Sequence, residues 1–185
     1  QRASCRMKQI GRLLTLVILT ASTACKNKIG TSESIKADLK NYVTVEVPKH
    51  GELFRLIGAL SETYKDAGGG DSHSDDKKED SEIETLGAAI SELKNTKILT
   101  DDVRKVHADL QEAVVKLQDS LKKIEALKQA KDFSAIRGVF PAIQDIIKGI
   151  RLVDDWNEAL AHGCKANGLG AEYNTFRKKY GLKSH

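Results

Sequence analysis

Apolar residues recur every three or four positions along most of the chain, which is the spacing of one face of an α-helix. The longest such run starts after Thr100 and extends to about Ala130. Thr100, Asp101 and Asp102 predict where this helix begins, because a hydroxyl can cap the free amides and acidic residues favour the positive end of the helix dipole. The width of the stripe favours packing inside a bundle over pairing with another molecule. It comprises Val103, Val106, Leu110, Ala113, Leu117, Ser120, Ile124 and Leu127, widened by Val114 and Leu121.

Five further segments show helical spacing. Ser81 and Glu84 have the separation of a capping box, Pro141 predicts a kink or a break, and Gly163 suits a helix end. Together with the long helix, the pattern predicts an all-α fold, an antiparallel bundle of five or six helices. The five segments are 34–42, 49–66, 81–97, 132–163 and 171–180.

The segment from Tyr42 to Val47 does not fit this scheme. Its apolar residues alternate with polar ones and are β-prone, but a single strand without a partner cannot satisfy its backbone. The segment is therefore either an extended connector or a helix that tertiary contacts impose.

A polar stretch from Ala67 to Ser81 interrupts the helices. Three glycines follow Ala67, and the rest of the stretch is polar and mostly acidic without an apolar residue, so it predicts a mobile acidic loop. The acidic residues lack the spacing of an EF-hand, and no metal site is predicted. They are Asp71, Asp75, Asp76, Glu79 and Asp80.

The stretch from Met7 to Cys25 has the order of a secretory signal. Basic residues Lys8 and Arg12 come first, then seven residues, six of them apolar, then the small residues that precede Cys25. The apolar run is too short to span a membrane. A cysteine directly after the cleavage zone predicts a lipoprotein, in which Cys25 carries the lipid. The alternative is a plain signal peptide with an incidental cysteine.

This signal sets the predicted domain boundaries. Residues 1–24 comprise six residues upstream of Met7 and the signal, 25–33 form the acylated cysteine and a flexible tether, and 34–185 form one helical domain. The chain has a formal charge of +4, and residues 1–24 hold four basic and no acidic residues. The mature domain is therefore close to neutral, which disfavours nucleic acid as a partner.

The sequence offers no constellation that predicts catalysis. The five histidines are scattered without the spacing of a metal site. His162 and Cys164 lie near each other, but nothing supplies a third, orienting group. Cys164 is predicted to be buried or unpaired, with a disulfide between two molecules as the alternative. We expect neither an enzyme nor a bound cofactor, metal or small-molecule substrate.

The signal segment, from Met7-Lys8-Gln9-Ile10 through Thr23-Ala24-Cys25-Lys26-Asn27-Lys28, together with the polar tether and the helical domain, resembles the outer-surface lipoproteins of spirochaetes. Ser22 stands where the usual lipobox has leucine, as in the looser lipoboxes of spirochaetes. Size and helix layout most resemble the factor H-binding lipoproteins of relapsing-fever Borrelia.

That resemblance implies a lipid-anchored protein on the outer face of the bacterial outer membrane, which captures host complement regulator factor H, and in some members plasminogen, for immune evasion. Acidic residues would complement the basic modules of factor H. Two other functions stay open: an adhesin for matrix or glycosaminoglycan, for which Arg177, Lys178, Lys179 and Lys183 are the candidate cluster, and a structural lipoprotein without a host ligand. The expected partner-binding residues are Asp71, Asp75, Asp76, Glu79, Asp80, Glu82 and Glu84.

Overall fold

The computed structural model describes residues 31–65, 76–130 and 133–183, and this part of the chain is helical without any β-strand. Thr31–His185 forms one compact unit. The all-α prediction is confirmed, and so is the expected number of helices. Within the described residues the six α-helices are α1 Ser32–Asn41, α2 Gly51–Lys65, α3 Asp76–Lys94, α4 Asp101–Gln129, α5 Phe133–Ala166 and α6 Gly170–Tyr180.

Helices α4 and α5 form the central antiparallel pair of the bundle. Leu127 contacts Gly138 and Leu117 contacts Gly149, so residue numbers rise along one helix as they fall along the other. A Cβ atom at Gly149 would lie 2.7 Å from Leu117 Cδ2, which shows how closely the two backbones approach. Helix α3 packs mainly on α4, whereas α2 and α6 pack on α5.

The predicted stripe of α4 is the centre of the core, which confirms the bundle interpretation of this helix. The helix spans Asp101–Gln129, within one residue of the prediction. Burial of an unbroken apolar face stabilises a helix of this length more than intrinsic propensity does. The buried residues of α4 are Val103, His107, Leu110, Ala113, Val114, Leu117, Ser120, Leu121 and Ile124.

The segment after α1 is helical, as the second of the two predicted alternatives required. A π-helical turn, Tyr42–Glu46, is followed by a 3₁₀ turn, Val47–His50. Tyr42, Val43, Glu46 and Val47 are all buried. Side chains at these spacings reach one core only from a helical backbone, so tertiary packing overrides the β propensity of the sequence.

The predicted end of α5 and the predicted start of α1 are wrong. Helix α5 continues through Pro141 and Gly163 to Ala166, and it ends where Gly168 takes a positive φ of 69° and the Leu169 amide donates to the Cys164 carbonyl at 2.8 Å. At the other end of the domain, α1 begins inside the predicted tether, because Thr31 caps it: its hydroxyl accepts from the Ser34 amide at 3.3 Å.

An aromatic cluster joins α2, α5 and α6. The Phe54 ring stacks on Trp156, with ring centroids 5.5 Å apart and planes inclined by 14°. Phe176 meets Phe54 edge to face at 5.7 Å, and Tyr180 completes the group, its hydroxyl donating to the Pro48 carbonyl at 2.9 Å. These contacts dock the last helix onto the bundle.

Candidate functional site

The predicted acidic site lies partly in helix α3 and partly outside the described residues. Asp71 and Asp75 lie outside the described residues, as does the predicted lipidation site, Cys25. Asp76 and Glu79 belong to the first turns of α3, which begins at Asp76. The expectation that the acidic loop extends to Ser81 is therefore wrong, since its last part is helical.

The predicted capping box is also wrong. Ser81 and Glu84 lie inside α3, and the Ser81 carbonyl accepts a hydrogen bond from the Thr85 hydroxyl at 2.8 Å. Such a bond belongs to the interior of a helix, where a side-chain hydroxyl bonds one turn back.

Three of the predicted site residues have described side chains, and they do not share one face. Asp80 and Glu84 are exposed and one helical turn apart, so their carboxylates lie on the same solvent-facing side of α3. Glu82 is half-buried, and its position two residues from each places it on a different side of the helix. Among the predicted site residues with described side chains, only Asp80 and Glu84 therefore share one exposed face.

Acidic residues near the start of α3 also have a structural effect, since carboxylates are stabilising at the positive end of a helix dipole. The first five residues of the helix comprise three acidic and two basic residues, and Lys94 lies in its last turn. For Asp80, a role in helix stability and a role in binding are compatible, because its side chain is exposed.

The basic cluster that a glycosaminoglycan adhesin needs is largely engaged within the molecule. Arg177 Nη1 donates to the Leu182 carbonyl at 3.4 Å, the Lys179 ammonium lies 5.2 Å from the Tyr180 ring centroid, and Lys183 pairs with Asp154. Of these three contacts, only the one between Lys183 and Asp154 pairs opposite charges.

A buried carboxylate that the sequence did not reveal holds the start of α4. Asp38 in α1 is 3% exposed. Its Oδ2 accepts from the Thr100 amide at 2.8 Å and from the Thr100 hydroxyl at 2.7 Å, and both of its oxygens accept from the Leu99 amide at 3.2 Å. Thr100 makes no capping bond to its own helix. The predicted hydroxyl cap is therefore wrong, because Thr100 donates to Asp38 instead.

His107 is buried in a second polar group. Its Nδ1 lies 3.1 Å from the Tyr42 hydroxyl and its Nε2 lies 2.8 Å from the Leu93 carbonyl. A neutral imidazole satisfies both bonds, with the hydroxyl donating to Nδ1 and Nε2–H donating to the carbonyl. Burial lowers the pKa of His107, and the nearby His50 lowers it further, whereas the Leu93 carbonyl and Glu46 oppose the shift.

We expect this histidine to make the fold sensitive to acid. Because the pKa of His107 is lower in the folded protein than in the unfolded chain, unfolding takes up a proton below about pH 6.5. Its stabilising effect is complete above the unfolded-state pKa and is lost as the pH falls towards the folded-state pKa. Urea unfolding at about pH 7.5 and about pH 5 measures the loss.

The matched variant is His107→Gln, which keeps a polar side chain but does not titrate. The other titratable groups near His107 are His50, Glu46 and Tyr42, together with the exposed Glu92 that lies 3.3 Å from His50, and they remain in both proteins. The variant should therefore lose less stability between the two pH values. An equal loss in both proteins would contradict the assignment.

Cys164 is fully buried, which confirms the first of the two predictions for it. Burial raises the pKa of its thiol to about 12, and His162 is exposed and lies 3.6 Å from Glu158. A protonated, inaccessible thiol is neither a nucleophile nor available for a disulfide between native molecules.

The described side chains contain no group of three or more histidine, cysteine or carboxylate residues arranged to hold a metal ion. Among the described helices, none combines the length and the hydropathy of a membrane span. Comparison with protein-family models, with curated proteins and with solved structures finds no significant match to this chain.

Proposed function

We propose that the chain is a lipid-anchored bacterial surface protein that binds host factor H and resembles the outer-surface lipoproteins of Borrelia. The observation that carries the proposal is the signal from Met7 to Cys25 directly followed by a compact helical domain that starts at Thr31. A short tether of this kind places a rigid domain close to a membrane surface, where it presents helix faces to a partner.

The acidic start of α3 is the proposed contact with factor H. Asp80 and Glu84 are exposed. In this proposal their carboxylates face the basic modules of the partner, and complementary charge of this kind sets orientation and the rate of association. Plasminogen is the second host protein that the resemblance suggests.

The proposal predicts that Asp80→Asn combined with Glu84→Gln weakens binding of purified factor H by about tenfold, because two exposed carboxylates are neutralised without a change of shape. Surface plasmon resonance on immobilised residues 26–185 measures the change. The remaining affinity should fall less steeply with added salt than that of the unmodified domain, since fewer charges contribute.

Asp109→Asn combined with Glu33→Gln is the control, because it removes the same two kinds of charge from exposed positions of other helices. The proposal requires little loss of binding in this variant. Equal losses in both variants would indicate a general charge effect, and unchanged binding after substitution of Asp80 and Glu84 would show that the contact lies elsewhere.

A further inference from the structure

An open groove of about 530 Å³ runs along the central helix pair, between α4 and α5. Its floor is Leu152 together with Ser120, whose hydroxyl donates to the Lys116 carbonyl at 2.8 Å and so needs no external partner. The rim consists of charged side chains from both helices. These are Lys116 and Asp119 of α4 and Asp145, Lys148, Arg151 and Asp155 of α5.

The order of charges along α4 is the informative feature of this groove. Glu112, Lys116, Asp119 and Lys123 are exposed and follow at separations of four, three and four residues, so they lie on one side of the helix. Their signs alternate, beginning negative and ending positive. When the same helix is turned end for end, every position meets a charge of opposite sign.

A second copy of the chain, placed with its α4 antiparallel to the first, therefore makes four complementary pairs. Glu112 faces Lys123 of the second copy and Lys116 faces its Asp119, and the two-fold axis repeats both pairs. Within one chain Glu112 and Lys116 are 2.7 Å apart, so these charges are already held in place on the helix surface.

Helix α5 fits the same axis. Leu117 of α4 contacts Gly149 of α5, so these two residues lie at the same height along the helix pair. The midpoint of the four α4 charges is therefore at about the same height as the middle of the charged α5 residues. Asp145 and Arg151 lie on opposite sides of this midpoint. The two-fold axis therefore brings Asp145 of one copy opposite Arg151 of the second copy. Lys148 lies close to the axis and meets its own copy, but Asp145 Oδ1, 3.0 Å away, offsets its charge in each chain. Asp145 Oδ2 lies 3.6 Å from Lys123 Nζ, so this carboxylate also links the charges of α4 to those of α5.

We infer that this groove is a contact between two copies of the chain, related by a two-fold axis that crosses α4 between Lys116 and Asp119. An isologous interface requires a self-complementary surface, and the charge order on α4 provides one. The groove is short, so the dimer is weak in solution, and anchoring to a common surface raises the effective concentration of the second copy.

Sedimentation equilibrium of residues 26–185 tests the contact, since the core of the domain lies entirely within the compact unit from Thr31. We expect the average mass to rise from monomer towards dimer between about 5 and about 500 μM. Lys116→Glu or Asp119→Lys alone places like charges in two symmetric pairs and should weaken association by about tenfold. Circular dichroism checks that each variant keeps its helix content.

Two combinations restore the complementary pairs in this arrangement. The double variant Lys116→Glu with Asp119→Lys exchanges the signs and should associate like the original protein. An equimolar mixture of the two single variants should form mixed dimers, because each chain then carries the charge that the other lacks. Recovery in both experiments supports the inference.

A monomeric mass at every concentration would overturn the inference and leave the groove to a partner of another sequence. Association that both single variants leave unchanged would equally overturn it, because the copies would then meet through a different surface.

Discussion

Replacing Asp38 by alanine should lower the free energy of unfolding by about 3 kcal/mol, because it leaves buried donors without an acceptor. The carboxylate serves the Leu99 amide, the Thr100 amide and the Thr100 hydroxyl. It also lies at the positive end of the α4 dipole, where a negative charge is stabilising. Denaturation by urea, followed by circular dichroism, measures the loss.

Two matched variants separate the sources of this effect. Asp38→Asn keeps one oxygen that can accept from Thr100, so it should cost about half as much, in the range of one charged hydrogen bond. Asp109→Ala removes an exposed carboxylate from α4 and should change the stability by less than about 0.5 kcal/mol. A loss from Asp38→Ala no larger than that of the control would show that the carboxylate does not hold α1 to α4.

Replacing Phe54 by alanine should have an effect of similar or larger size. The side chain is 2% exposed, stacks on Trp156 and meets Phe176 edge to face. Its removal takes a buried ring out of the contact between three helices and leaves a cavity, which costs about 3–5 kcal/mol. Thermal unfolding and urea unfolding should agree on the loss.

Phe140→Ala is the control for Phe54, because it is the same chemical change at a ring that is 58% exposed. We expect it to alter the stability by less than about 0.5 kcal/mol. Comparable losses in the two variants would contradict the assignment of Phe54 to the core and of Phe140 to the surface.

The sequence predicts the fold best where local and tertiary signals agree. Helix α4 starts and ends as expected, because the acidic residues Asp101 and Asp102 lie in its first turn and an apolar stripe follows them without interruption, although the predicted Thr100 cap is not formed. Helix α3 starts earlier than expected, since its first five residues contain no apolar side chain and hydrophobic periodicity gives no signal there.

The buried polar contacts could not be predicted, because their partners are distant in the sequence. Asp38 and Thr100 are 62 residues apart, and each alone is an ordinary polar residue at a helix end. Tyr42 and His107 are 65 residues apart. The helical stripe shows that His107 borders the core, but only the packing of the π-helical turn on α4 supplies its hydrogen-bond partner.

The exposure of two candidate residues, Asp80 and Glu84, could be predicted from the sequence, because charged side chains stay in contact with water unless they are paired. Their separation from Glu82 depends on a helical backbone that runs from Asp80 through Glu84, and the polar stretch before Ser81 gave no hydrophobic signal for a helix at Asp80. Helical spacing applied one turn further towards the N-terminus would have shown that division.

The most direct test of the proposed function is capture from human serum by immobilised residues 26–185 at physiological salt, with the retained proteins identified by mass spectrometry. The proposal predicts that factor H is retained by the domain and is depleted from the fraction retained by the Asp80→Asn and Glu84→Gln variant. Retention of matrix proteins alone, or of no serum protein by a domain that keeps its helical circular dichroism, would contradict it.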